Sequence, residues 1–400
     1  MRPLSTISTS ISKRLSALPG PRAKTPVGPL SDTSHSPSLI GEPMNAHVET
    51  IRAYLAQHQL DAFLVKSKVM KRYLGTLTGS GCKVLLTREA GYLICDGRYL
   101  VEAQEREHDL TLRVHDQGTS YLKPLAELLD AHGCRTLAVE ASEVLVPEWR
   151  RLRELGIDLQ LLDEETSEMR ICKDDAEIAA VQRAVDAADD IYARVVEELR
   201  VGMTEYEVSA LLQYYAIAAG ADGMSFDTIV ATGPRSAMPH GRPTDRRIEA
   251  HEPVLIDFGV QLAGYQSDMT RVCFLGEPSD ELRRVYETVL AANLAGIDAI
   301  RVGARGCEVD TAARSVIDQA GWGAYFTHGL GHGIGMGGDL PLLNQRSQTI
   351  LDNRMIMSCE PGVYLPGIGG VRIEDDVLLF DNQAKPLNAT SKALRVLEVR

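Results

Sequence analysis

Five residues between Asp257 and Glu374 carry side chains suited to holding hard divalent cations. Asp257 lies in Ile256-Asp257-Phe258-Gly259 and Asp268 in Ser267-Asp268-Met269-Thr270-Arg271. His332 ends His328-Gly329-Leu330-Gly331-His332, Glu360 opens Glu360-Pro361-Gly362-Val363-Tyr364, and Glu374 sits in Val371-Arg372-Ile373-Glu374-Asp375-Asp376. Four carboxylates and one imidazole favour an oxygen-seeking pair of ions, Mn²⁺ first, with Co²⁺ or Zn²⁺ as substitutes. The chemistry open to such a set is activation of a water for attack on a carbonyl group.

These residues need elements to bring them together. Val254–Val260 and Tyr265–Phe274 read as strands joined by a short hairpin loop. A turn centred on Leu262 and Ala263 would set Asp257 directly opposite Asp268. Like charges facing each other destabilise a sheet, so that register calls for a cation between them. Ile356–Cys359 and Val371–Ile373 lead into Glu360 and Glu374 in the same way, and buried carboxylates without a partner must be neutralised.

The words Ile-Asp-Phe-Gly, Ser-Asp-Met-Thr-Arg, His-Gly-Leu-Gly-His-Gly, Glu-Pro-Gly-Val-Tyr and Val-Arg-Ile-Glu-Asp-Asp resemble those of the M24-type pita-bread metallopeptidases, in the branch of the Xaa-Pro dipeptidases (prolidases) and aminopeptidases P. The resemblance runs from about Met44 to the C-terminus. It implies an α+β pita-bread catalytic domain, a curved antiparallel sheet backed by helices in two pseudo-symmetric halves. An α/β creatinase-like domain precedes it. It implies two divalent ions on Asp257, Asp268, His332, Glu360 and Glu374, with Glu360 as general base. His240 and His328 are implied as substrate and oxyanion contacts, and Tyr364 and Arg372 as further catalytic groups. Arg372 could hold a substrate carboxylate, or instead pair with Asp375 or Asp376. Small peptides are the implied substrates and a homodimer the implied assembly.

The rest of the chain is consistent with this frame. The composition is 44% hydrophobic and 24% charged, and the net charge of −13 argues against nucleic acid or an anionic membrane as partner. No apolar run is long enough to span a bilayer. Seven cysteines without a Cys-x-x-Cys spacing predict reduced thiols and a cytoplasmic setting. Residues 1–43 are rich in Ser, Pro and Thr and lack apolar periodicity, which predicts a disordered extension or translation from a start upstream of Met44. Arg and Ser there give a superficial likeness to a transit peptide.

Residues 44–166 alternate helical and strand patterns: a helix over Val48–His58, strands at Ala62–Val65, Lys83–Thr87, Tyr92–Cys95 and Thr136–Val139, and helices over Tyr121–Ala131 and Glu148–Leu155. Arg72-Tyr73-Leu74 and Asp96-Gly97-Arg98-Tyr99 are similar to words of the creatinase-type domain. Residues 167–400 form the catalytic part, with helix starts at the capping pairs Asp174/Glu177 and Thr204/Glu207, at Ser279, and over Asp310–Ala320. No internal sequence repeat is evident in this reading.

One departure stands out. The family continues after His332 to a His-Glu pair before a proline, whereas this chain reads Gly338-Asp339-Leu340-Pro341 and has no histidine beyond His332. Asp339 occupies the expected histidine position and is carried as a substrate contact able to receive an amine. Three readings follow: an exopeptidase that cleaves before proline, a different amide or amidine hydrolase on the same two-metal scaffold, and a non-catalytic derivative. Retention of all five ligands argues against the third, and also against creatine amidinohydrolase, whose relatives lack the metal set.

Overall fold

The computed structural model describes residues 45–105, 110–116, 118 and 120–400, apart from the side chains of Asn45 and Asp339. The extension expected over 1–43 lies outside the described residues.

The N-terminal part is built on one six-stranded sheet: β1 (Ala62–Val65), β2 (Lys83–Thr87), β3 (Gly91–Asp96), β4 (Thr111–His115), β5 (Thr136–Glu140) and β6 (Asp158–Leu162), in the order β4-β3-β2-β1-β5-β6. β1–β2 and β2–β3 are antiparallel, and the remaining pairs are parallel. The central strands β1, β2 and β5 are buried runs of Leu, Val, Phe and Ala, which is why they were readable as strands. β4 and β6 are exposed edge strands that carry Arg113 and Gln160, so no apolar pattern announces them. Helices α1 (Asn45–Gln57), α2 (Leu122–Ala131) and α3 (Val146–Arg153) flank this sheet, with Ile51 and Leu55 of α1 fully buried.

The second part opens with α4 (Asp175–Glu198) and α5 (Glu205–Ala218), each started by the expected capping box. Strands β7 (Gly223–Met224), β8 (Ile229–Thr232), β9 (Pro253–Phe258), β10 (Val260–Leu262), β11 (Tyr265–Gln266) and β12 (Met269–Leu275) follow. Then come α6 (Asp280–Ala299), α7 (Gly306–Gln319), β13 (Gly331–Gly333), β14 (Asp339–Leu343), β15 (Ile356–Cys359), β16 (Gly362–Leu365), β17 (Gly369–Arg372), β18 (Asp375–Phe380), β19 (Gln383–Pro386) and β20 (Arg395–Leu397). The main sheets run β20-β12-β9-β8 and β14-β13-β15-β18-β19. Val285 and Val289 of α6 pack on Leu255, Phe274, Met357 and Val377 of both sheets in one core. Burying each such side chain contributes about 1.5–3 kcal/mol.

The two halves repeat each other, as the resemblance implied, although no sequence repeat showed it. Arg200-Val201-Gly202 before α5 matches Arg301-Val302-Gly303 before α7, with Gly φ angles of +89° and +84°. Gly202 N donates to Ile248 O and Gly303 N to Leu351 O, both at 2.9 Å, and the return bonds Ile248 N–Met203 O and Leu351 N–Ala304 O are both 2.8 Å. His251 and Arg354 share an unusual positive φ, +69° and +71°. Asp257 follows His251 at the same interval as Glu360 follows Arg354. Only a few identities survive, so backbone geometry reveals the repeat where residue types do not.

The β9–β12 hairpin corrects the expected register. Its two-residue turn is Ala263-Gly264, with φ of +50° and +86°, not Leu262-Ala263. A tight turn of this hand needs positive φ at both central positions, and Gly264 supplies one without cost. Leu262 therefore pairs with Tyr265, and Asp257 stands opposite Thr270. Asp268 is two residues from Thr270, so it remains on the same face as Asp257 but diagonal to it.

Candidate active site

Four of the expected ligands sit at or beside the ends of buried strands, and the fifth, His332, lies in a short part-buried one. Asp257 is on β9, and Asp268 immediately precedes β12, with its N–H donating to the Asp376 carboxylate at 2.9 Å. His332 is on β13, Glu360 follows β15, and Glu374 lies between β17 and β18. Glu360 N donates to Leu330 O at 2.8 Å, and Glu374 N to Thr270 O at 3.2 Å, which ties the halves together at the site. Gly331 lets β13 approach β15: a Cβ there would lie 2.1 Å from Ser358 O. All five side chains line one cleft of ≈ 1020 Å³.

The imidazole is oriented for coordination. His332 Nδ1 lies 3.1 Å from Gly333 O, an acceptor, so Nδ1 carries the proton and Nε2 presents its lone pair. Nε2 is 3.5 Å from Asp268 Oδ2 and 3.6 Å from Glu360 Oε1. Ligand atoms of Asp268, His332 and Glu374 all lie within 4.8 Å of one another.

The electrostatics call for cations. Burial pushes the Asp268 carboxyl well above its ordinary range, and Glu374, Asp257, Asp376 and Glu360 add to it. Burial does the same to Glu374, with Glu360 and Asp257 contributing. Burial also raises Glu360, opposed by His332 and Arg372, and raises Asp257, opposed by Arg372. Asp257 Oδ1 and Asp268 Oδ1 are buried without a hydrogen-bond partner. Orphaned carboxylate oxygens in a crowd of acids are costly alone and natural around divalent ions. The donor set fits two such ions.

Arg372 crosses the site. It pairs with Asp257 and donates to Tyr364 Oη at 2.7 Å, Thr270 Oγ1 at 3.0 Å and Pro239 O at 3.2 Å. Pairing with Asp375 or Asp376, the alternative raised from sequence, does not occur: Arg271 holds Asp375 at 2.6 Å. Tyr364 in turn lies 2.8 Å from His328 Nε2, and His328 Nδ1 lies 2.7 Å from Gly329 O. The carbonyl fixes the proton on Nδ1, so Tyr364 donates to Nε2 and both nitrogens of His328 are committed. Burial, helped by Arg372, lowers the His328 imidazole to about 4, and burial lifts the Tyr364 phenol to about 12. His240 is exposed and lines the cleft. Asp339 pairs along the backbone with Gly333, and its neighbours Gly338 and Leu340 line the cleft, but its side chain lies outside the described residues.

Several supporting residues escaped the sequence reading. Thr270 donates its hydroxyl to Glu374 at 2.6 Å. Asp310 accepts Leu330 N at 3.1 Å and binds Arg314 through both oxygens, while Arg314 donates to His328 O at 2.7 Å. Thr270 lies two residues after Asp268, which is a signal of proximity to the site; Asp310 and Arg314 lie in a helix far along the chain and carry none. A second group, His47 with Asp174 and Glu177, also clusters. There both carboxylates already serve α4, Asp174 and Glu177 forming its capping box, and His47 Nε2 sits 3.2 Å from Asp174, a contact that accounts for the group.

Residues 179–380 match Metallopeptidase family M24, and residues 47–172 match the Creatinase/Prolidase N-terminal domain. The chain belongs to metallopeptidase family M24. This peptidase is 33% identical over 356 residues to an Xaa-Pro dipeptidase of Pyrococcus horikoshii, covering 88% of this chain and 99% of that one. Its fold matches an Xaa-Pro dipeptidase from Bacillus anthracis with TM-score 0.85 at 33% identity, covering 88% and 100% of the two chains. It matches an X-Pro aminopeptidase from Thermotoga maritima with TM-score 0.79 at 34% identity, over 85% and 98%. The M24 peptidase thus has the pita-bread fold behind a creatinase-type domain, as its motifs implied. No helix among the described residues is long and apolar enough to cross a membrane. All seven cysteines are free.

Proposed function

We propose that this M24 peptidase is an exopeptidase that hydrolyses the bond preceding proline in Xaa-Pro peptides and uses two divalent ions, Mn²⁺ by the hardness of the donor set. The observation that carries the reading is the convergence of Asp257, Asp268, His332, Glu360 and Glu374 on one cleft in which Asp257 Oδ1 and Asp268 Oδ1 are buried without a hydrogen-bond partner. Similarity to both dipeptidases and an aminopeptidase of Xaa-Pro type supports the proline preference. We further place it in the cytoplasm as a homodimer, on its free thiols and its family.

Asp257, Asp268, His332, Glu360 and Glu374 hold the ions, which when bound activate a water and polarise the scissile carbonyl. Glu360 is the base: its carboxylate sits in the cleft beside the ions it helps to hold, takes a proton from that water and passes it to the leaving nitrogen. His240 faces the cleft with its imidazole uncommitted and donates to the developing oxyanion. His328 acts through Tyr364 instead, because its own nitrogens are occupied. Arg372 holds Asp257 and Tyr364 in place and keeps the cleft wall rigid.

A second reading, another amide hydrolase on this scaffold, rests on Asp339 where a histidine would donate to substrate. An ionised aspartate can only accept. The Mn²⁺-loaded peptidase should be assayed on Xaa-Pro dipeptides, Xaa-Pro-Xaa tripeptides and matched Xaa-Ala peptides. Preference for the proline peptides is expected. Turnover confined to the non-proline amides would favour the second reading.

A further inference from the structure

The loop that carries His240 is held at both ends by one buried carboxylate. Glu205, the first residue of α5, is fully buried. Its Oε1 accepts from Thr232 N at 2.8 Å and Thr232 Oγ1 at 3.1 Å; its Oε2 accepts from Thr244 N at 2.9 Å and Thr244 Oγ1 at 2.7 Å. Arg235 Nε lies 3.2 Å from one oxygen and 3.1 Å from the other, and the same guanidinium donates to Arg242 O at 2.6 Å. Thr232 ends β8 and Thr244 follows His240 by four residues, so a single side chain closes the segment into a ring. Across the cleft wall the segment is pinned again, by Gly370 N to Ser236 Oγ at 2.7 Å and by Arg372 to Pro239 O.

We propose that Glu205 is the positioning residue for His240, fixing the imidazole over the cleft before substrate arrives. The inference rests on the reading of His240 as the oxyanion contact. The chemistry of the ring is specific to a carboxylate. Both oxygens accept only, and they face two backbone N–H groups, two hydroxyls and a guanidinium. Glutamine would turn an NH₂ toward one of these donors and leave a buried N–H unpaired. A loop loosened in this way still binds peptide but samples the productive position of His240 less often. The loss therefore falls on kcat, with KM little changed.

The test is a double-mutant cycle on the Mn²⁺-loaded full chain with an Xaa-Pro substrate. His240→Ala should lower kcat by roughly 10²-fold, the usual worth of an oxyanion donor. Glu205→Gln should lower kcat roughly tenfold in the native background and less than about twofold in the His240→Ala background, with metal content unchanged, because both act through one contact. Thr244→Val, which removes the hydroxyl strap and keeps the backbone one, should show the same coupling at smaller size should Glu205→Gln fail to fold. Equal losses with and without His240 would overturn the positioning role and leave a structural one. No loss in Glu205→Gln would overturn it outright. An inert His240→Ala would instead defeat the reading of His240, and the inference with it.

Discussion

Replacing Asp268 with asparagine should stabilise the metal-free protein and abolish its response to metal. Without ions, the Asp268 carboxylate is buried among Glu374, Asp257, Asp376 and Glu360, and its Oδ1 has no partner. Asparagine keeps the shape, removes one charge from the crowd and offers an NH₂ to the neighbouring acids. An unsatisfied buried polar atom costs about 1–3 kcal/mol, more when charged, so Asp268→Asn should gain about that much. At about 2 °C per kcal/mol for a chain of this size, the apo Tm should rise by about 2–6 °C. The pH dependence carries the same signature. The carboxyls of Asp268, Glu374, Glu360 and Asp257 are all raised in the folded state. Their contribution is fully present below the unfolded carboxylate range and is lost as pH rises through the folded values. The apo protein should therefore melt lower at pH 8 than at pH 5.5, and Asp268→Asn should flatten that slope. Saturating Mn²⁺ reverses the order: the native chain gains about 2.7 kcal/mol at a hundredfold excess over Kd, and the variant gains little. Thermal melts in chelator and in Mn²⁺ at both pH values provide the assay. An apo variant that melts below the apo native chain at pH 8 would refute the claim that uncompensated carboxylates strain this site.

Arg372→Met should cost about 3–5 kcal/mol in the apo protein, because Asp257 loses its buried counter-ion; urea unfolding that shifts by less than 1 kcal/mol would contradict its role as a pin. His328 is lowered to about 4, so its contribution to stability is present above its unfolded value near 6.5 and lost as pH falls from there toward 4. His328→Gln should accordingly shrink the acid-side loss of Tm between pH 6.5 and 4.5, and an unchanged slope would count against a buried neutral imidazole. Asp339→His should raise turnover of Xaa-Pro peptides by roughly 10²–10³-fold, the usual worth of a general acid or oxyanion donor. Loss of all activity in Asp339→Ala with full metal content would show the aspartate to be catalytic itself.

The cleft was legible because the five residues proposed as ligands sit in short, chemically odd words: acids and an imidazole at the ends of apolar runs. The long helices were legible through their caps, Asp174 with Glu177 and Thr204 with Glu207, which act within one turn. What stayed hidden depends on distant partners. The hairpin register turned on whether Leu262 or Gly264 joins Ala263 in the turn, a choice the strand pattern does not encode. The relation of Asp257 to Glu360 lies in matched backbone bonds at Gly202 and Gly303, not in shared residue types. Glu205 carried no signal in the sequence, and its link to Thr232 and Thr244 became visible only when the fold brought them to one carboxylate.

Metal-dependent hydrolysis of proline peptides is the property that the proposed site most directly requires. The chelated full-length chain should be titrated with Mn²⁺ while bound metal per chain and hydrolysis of an Xaa-Pro dipeptide and tripeptide are followed together. Two ions per chain are expected, with no hydrolysis in chelator and activity appearing as the sites fill. Fewer than one ion per folded chain, or full hydrolysis of the proline peptides in chelator, would contradict it.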